Sequence, residues 1–335
     1  MIPAEVKTIL KQIKDKDPLP LYLLHGEESY YIDLVAKNAT ENLLEEHERD
    51  FNQTVVYGKD VDTKSLLAQL KQYPMMADYQ LVILKEAQDL KDWSTLENYL
   101  EQPLSSTVFL VCYKHKKADA RKKFFKHIKK NGVVFESKRL YENQVDAWIK
   151  DYLKKKKMLI SPKAALLLVD FLGADLSKIV KELDKLSIVI PEGTTINEDH
   201  IEKNIGISKD YNPFELANAI AKRDIQKAHK IIYYFEQNPK ATHITVLIPS
   251  IFSFFDRLMK AHFLRVSDPQ QLQSSLRMNY YAAQETFRAM QIYKPKKIAK
   301  NIALLQTYDL KSKGINRGPG TDADLLRELI FQLMH

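Results

Sequence analysis

A chain of 335 residues, 45% hydrophobic and 28% charged, has material for two or three soluble domains, and nine glycines are too few for a large all-β fold. A single cysteine, Cys112, excludes an intrachain disulfide framework and a cysteine metal site, and no run of 18 apolar residues offers a membrane span. The formal charge of +8 fits an anionic partner and fits solvated surface equally well.

The opening Met1-Ile2-Pro3-Ala4-Glu5 lacks a charged-then-apolar signal layout, so a cytoplasmic protein is expected. Residues 1–140 then alternate strand and helix signals. Leu21–Leu24 is a short apolar run after Pro18 and Pro20 and reads as a buried strand. It leads through His25-Gly26-Glu27-Glu28-Ser29 into a helix over Leu34–Leu44. Gln53–Tyr57 reads as a second strand and Val61–Lys71 as a helix with Leu66, Leu67 and Leu70 on one face. Gln80–Leu84 is a third strand, Trp93–Leu100 a helix and Val108–Tyr113 a fourth strand, which holds Cys112 as a buried structural thiol. Lys122–Lys129 reads as a basic helix and Gly132–Glu136 as a fifth strand. Continuous apolar strands separated by helices predict an α/β domain, a parallel sheet covered on both faces.

After Leu140 strand signals nearly vanish. Glu142–Lys155 is amphipathic, with Val145, Trp148, Ile149 and Tyr152 at helical spacing. Ser161-Pro162 is a helix start, the helix running over Ala164–Leu172 to Gly173. Asp175–Ile188 and Asn197–Lys203 follow as helices, completing a small helical domain over 141–209. Asp210-Tyr211-Asn212-Pro213 marks the next boundary. The third domain, 210–335, is all-helical: Phe214–Phe235 as one helix, then Thr242–Val266, Tyr280–Tyr293, Pro295–Lys311 and Asp322–Leu333. Gly314–Gly320 links the last two.

Strand, glycine turn, helix is the setting of a phosphate-binding loop. Counted from Gly26, such a loop needs Gly at 31, Lys at 32 and Ser or Thr at 33; the chain has Tyr31, Ile32 and Asp33. No ammonium meets the phosphates, no hydroxyl faces magnesium, and Glu27 and Glu28 put negative charge where phosphate sits. Where a strand-end acid for magnesium belongs after the third strand, Lys85 comes first and then Glu86, either a displaced relic or a helix-start residue. ATP hydrolysis therefore lacks its electrostatic clamp and its metal anchor, and no cofactor or metal is expected. His-Glu-x-x-His and Gly-x-Ser-x-Gly patterns are absent, no catalytic residue stands out, and Asp60 and Asp62 read as helix caps.

Two surface features remain. Lys114–Lys130 carries nine Lys or Arg against one acid, Asp119. Phe124, Phe125 and Ile128 turn one face of that helix inward, which leaves Lys122, Lys123, Lys126 and Lys130 facing a nucleic acid, an acidic subunit or water. Lys154–Lys157 is a second basic run and reads as a solvated helix end. In Tyr73-Pro74-Met75-Met76-Ala77, Pro74 stops the preceding helix and two unbranched apolar side chains follow on a loop. They either cap the domain core or protrude as a plug that adapts to a partner pocket.

Three segments, Tyr22–Glu28, Gly173–Leu176 with Glu182–Leu186, and Tyr308–Gly314, occur in an order that resembles the delta subunit family of the bacterial DNA polymerase III clamp loader, along nearly the whole chain. The resemblance implies an AAA+-like domain with a degenerate nucleotide loop, a helical lid and a C-terminal helical collar. It implies a non-catalytic subunit of a DNA-directed DNA polymerase holoenzyme, with no ATPase activity of its own. It further implies that a hydrophobic pair on a first-domain loop, falling here at Met75 and Met76 beside Pro74, wedges into the ring-shaped sliding clamp. Implied partners are that clamp, ATP-binding motor subunits, a second non-identical subunit and primed DNA. The alternative reading is an AAA+-like ATPase or scaffold that acts on nucleic acid directly.

Overall fold

The computed structural model describes residues 2–208 and 210–335; Met1 and Lys209, the expected first and last residues of two of the domains, lie outside the described residues. Helix α1 (Ala4–Lys14), which the sequence reading leaves unassigned, precedes the first strand and buries Val6, Ile9 and Ile13 at helical spacing. The next elements are β1 (Leu21–Gly26), α2 (Ser29–Asn42), α3 (Glu46–Asn52), β2 (Gln53–Tyr57), α4 (Thr63–Leu70) and β3 (Gln80–Lys85). They are followed by α5 (Glu97–Glu101), β4 (Thr107–Lys114), α6 (Lys123–Asn131) and β5 (Val133–Ser137).

All five strands are parallel, in the order β2-β3-β4-β1-β5. Every residue of β1 is buried, as are most of β3 and β4, because helices cover both faces of the sheet. Leu21, Leu23, Val82, Leu84, Phe109 and Val111 fill one face with Leu66, Leu70, Phe124 and Ile128 from the helices. Cys112 is buried in β4, and burial pushes its thiol up to about 12. Parallel pairing puts the carboxyl ends of the strands on one edge, with Gly26 of β1 opposite Lys114 of β4. The loops that carry chemistry in such sheets open there.

Several local signals act as read. Asp62 caps α4 by accepting from the Ser65 amide at 3.0 Å. The expected helix at Trp93–Leu100 is shorter: Ser94–Leu96 is a tight 3₁₀ turn and α5 begins only at Glu97. Asp92 holds Ser94 and Thr95 through its carboxylate, which keeps the chain in a turn there. Residues up to Leu140, with Asp175–Ser177, form one compact unit.

The other unit comprises Tyr141–Ala174 and Lys178–His335. Its elements begin with α7 (Glu142–Lys155), β6 (Leu159–Ile160) and α8 (Pro162–Leu172), continue with α9 (Leu176–Val189) from Lys178 onward, and then β7 (Thr195–Ile196) and α10 (Glu198–Ile205). The two-residue strands β6 and β7 pair in parallel, too short to leave a periodic signal in sequence. Ser161 caps α8 by accepting from the Ala164 amide, and Gly173 closes it at φ +68°.

Then come α11 (Pro213–Lys222), α12 (Ile225–Gln237), α13 (Ile244–Phe263), α14 (Pro269–Leu276), α15 (Tyr280–Ile292), α16 (Pro295–Ser312) and α17 (Asp322–Met334). The single helix expected over Phe214–Phe235 is two. Arg223 takes a left-handed conformation at φ +55° and Asp224 caps the second helix by accepting from the Lys227 amide at 2.9 Å. These helices enclose a core drawn from Leu216–Met334, in which the Tyr293 hydroxyl donates to the Ile220 carbonyl at 2.7 Å. Among the described residues no helix is long and apolar enough to cross a membrane.

Candidate functional site

Two places in the first unit hold the residues singled out in the sequence: the loop between α4 and β3, and the carboxyl edge of the sheet.

Pro74 follows the end of α4 and the chain crosses to β3 through Met75–Tyr79. Neither methionine joins the core. Met75 is 55% exposed and Met76 96%, with Tyr73 beside them at 76%. Met76 has φ +54°, a left-handed conformation that costs a side-chain-bearing residue about 1 kcal/mol. The loop is tied down beneath them. Asn52, the last residue of α3, is 2% exposed. Its Oδ1 accepts from the Met75 amide at 2.6 Å and its Nδ2 donates to the Met75 carbonyl at 2.9 Å. Sequence reading did not single out Asn52. Its only local signal was an amide ending a polar stretch just ahead of a strand.

At the strand edge, Gly26 has φ +135°, and a Cβ there would lie 2.1 Å from the Ser137 carbonyl oxygen. The glycine therefore serves close approach to the end of β5. The turn is sewn to that strand: the Glu28 amide donates to the Ser137 carbonyl at 3.1 Å, and the Ser137 hydroxyl donates to the Glu28 carbonyl at 2.6 Å. Glu28 then caps α2, its buried carboxylate accepting from the Tyr30 amide at 2.9 Å and from the Leu176 amide. Burial is the main reason its carboxyl lies above the usual range, opposed by those two amides. An anion of the chain itself occupies the start of the helix, where a phosphate would be drawn by the same amides. Tyr31 and Ile32 point into the core, the Tyr31 ring meeting Phe135 edge-on at 6.5 Å.

Asp33 faces outward to Lys114, whose Nζ lies 2.7 Å from the Asp33 carboxylate and 3.4 Å from that of Glu86. Burial opposes the Lys114 charge, but the two carboxylates outweigh it and hold its pKa above the ordinary value. Glu86 is further fixed by Gln88, which donates to it at 2.6 Å while accepting from the Lys114 amide at 3.0 Å. Asp33 takes position 33 in the count from Gly26, and Glu86 follows β3 at the start of the 3₁₀ turn Ala87–Asp89. The Lys114 ammonium lies between these two carboxylates and pairs with both.

Helix α6 docks through Phe124 and Ile128, with Phe124 stacked on Trp93 at 4.2 Å. Lys122, Lys126 and Lys130 are exposed, and among the described residues none has an ion-pair partner. Lys123 differs, since its Nζ is 3.0 Å from Glu97.

Residues 22–138 match the family described as DNA polymerase III, delta subunit. The DNA polymerase III subunit delta of Bacillus subtilis is 26% identical to this chain over 339 residues, covering 97% of this chain and 96% of that protein. A probable DNA polymerase III subunit delta of Aquifex aeolicus is 21% identical over 224 residues, covering 63% of this chain and 62% of the other. Among solved structures, the Bacillus subtilis DNA clamp loader delta protein matches in fold with a TM-score of 0.63 at 23% identity, over 98% of this chain and 99% of that one.

Proposed function

We propose that this chain, which belongs to the DNA polymerase III delta subunit family, is the subunit that grips and opens a ring-shaped sliding clamp during loading onto primed DNA. The observation that carries this reading is the exposure of Met75 and Met76 side by side on a loop whose backbone is pinned to the domain. Two thioether side chains can fill an irregular apolar pocket, and burying both is worth about 3–6 kcal/mol before the cost of association. Pro74 keeps the loop from continuing as helix.

In this reading the chain spends no nucleotide. Glu28 stands in for a phosphate and Lys114 for a metal ion, so ATP-binding motor subunits supply the energy that exposes or hides the methionine pair. A second non-identical subunit completes the ring of collars, contributed here by 210–335. The exposed lysines of α6 face DNA within the assembly. The rival, an AAA+-like ATPase or scaffold on nucleic acid, draws on those lysines alone.

The test is Met75→Ala with Met76→Ala. Both side chains are exposed, so the melting temperature of the free chain should hold within about 2 °C. Affinity for the cognate clamp should fall by about 100-fold, as for two hot-spot residues. Unchanged affinity would reject the plug. ATP binding to the isolated chain, seen by calorimetry and lost on substitution of the 26–33 loop, would favour the rival.

A further inference from the structure

We infer that Asn52 is a positioning residue for clamp capture: its side-chain amide holds the Met75–Met76 turn in the shape that presents both methionines. This rests on the reading that Met75 and Met76 contact the clamp.

The geometry is that of a strand neighbour reduced to one side chain. Asn52 pairs with both the amide and the carbonyl of Met75, at 2.6 and 2.9 Å, from 23 residues away in sequence. Its second Nδ2 hydrogen donates to the Glu48 carbonyl at 3.0 Å, which fixes the side chain's rotation. An aspartate loses both donated bonds and an aliphatic residue loses all three, so the arrangement is specific for a primary amide on a short stem. The anchor is itself held. Helix α3 is joined to α2 through Arg49, which donates to the Glu41 carbonyl at 2.7 Å and the Leu44 carbonyl at 3.3 Å, and Glu48 accepts from the Glu45 amide at 2.8 Å.

The turn needs such an anchor. Met76 sits at φ +54° and is 96% exposed, so its own side chain makes few contacts that would keep the backbone in a left-handed conformation. Among nearby groups, Asn52 is the one that bonds the residue directly before it at both backbone positions. A loop released from Asn52 would sample other conformations, and the entropy of ordering it again would be charged against binding.

Asn52→Ala and Asn52→Asp in the full chain test this, with two readouts. The first needs no clamp. Exchange of the Met75 amide hydrogen should be slow in the native chain and at least about tenfold faster in Asn52→Ala. Asn52→Asp retains the acceptor and should fall between, which also covers the case in which the alanine variant is poorly folded. The second is a double-mutant cycle on cognate clamp affinity. Asn52→Ala should weaken binding by about tenfold when the methionines are present and by less than about twofold when both are alanine, because a residue acting through them has nothing left to act on. Equal losses in both backgrounds, or native affinity with a fast-exchanging Met75 amide, would overturn the proposal. If the methionine substitutions themselves leave clamp affinity unchanged, the plug reading fails and the binding role of Asn52 falls with it. The exchange measurement still separates that case from one in which Asn52 never held the loop.

Discussion

Glu28 is a buried carboxylate that caps a helix. Its carboxyl is buried at the start of α2 and raised above the usual range, burial being the main cause. The folded value stands above the unfolded one, so the folded chain holds the proton more tightly. The stability this contributes is complete below the ordinary carboxylate value and is lost as pH rises through the raised one. Glu28→Gln removes the ionisation while its amide oxygen can still accept from Tyr30. Thermal melts of both chains from pH 4 to pH 7 should therefore show the variant gaining on the native protein as pH rises, and a difference independent of pH would contradict it. The negative residues at 27 and 28 were visible in sequence. That one of them turns inward as a cap was not, because it depends on Ser137 and Leu176, both more than a hundred residues further along.

At the scale of elements, the break between α11 and α12 makes a sharp contrast. Asp224 is an N-cap in the structure, and Asp224→Ala should cost about 1 kcal/mol of stability, read from denaturant unfolding. In a helix running unbroken from 214 to 235 the same change would stabilise by about 0.5 kcal/mol on propensity, so the sign separates the two. Apolar spacing carries through the break, which only the left-handed Arg223 and the non-helical cap Asp224 interrupt, so periodicity alone joins the helices. Helix α6 supports a second test. Replacing Lys122, Lys126 and Lys130 with Ala should lower the salt dependence of DNA binding by the assembled loader by about 0.9 in log–log slope for each lysine on a duplex phosphate. Lys123→Ala should change it little, since that ammonium is already paired with Glu97. A slope unaffected by the triple change would return the face to solvent.

For the whole molecule, the buried cluster of Leu216–Met334 draws on no residue before 216, and the proposed collar is tested by removing it. Removing 211–335 should abolish assembly with the ATP-binding subunits and leave clamp binding by the remainder. Size-exclusion chromatography of mixtures, with circular dichroism to verify the fold of the shortened chain, decides it. A shortened chain that still enters the full assembly would show that the collar contacts lie elsewhere.

By itself the sequence determined the parallel sheet, the absence of Gly, Lys and Ser or Thr at positions 31, 32 and 33, and the caps at Asp62 and Ser161. Each is a local matter: an apolar run, a missing ammonium or hydroxyl, a side chain three residues from the amide it meets. Tertiary structure decided where Met75 and Met76 point, which cation Asp33 and Glu86 share, and where the helix from Pro213 stops. Those outcomes turn on pairings such as Asn52 with Met75 and Lys114 with Asp33, made across many residues. A side chain meeting a distant backbone group leaves no period and no spacing in the chain that carries it.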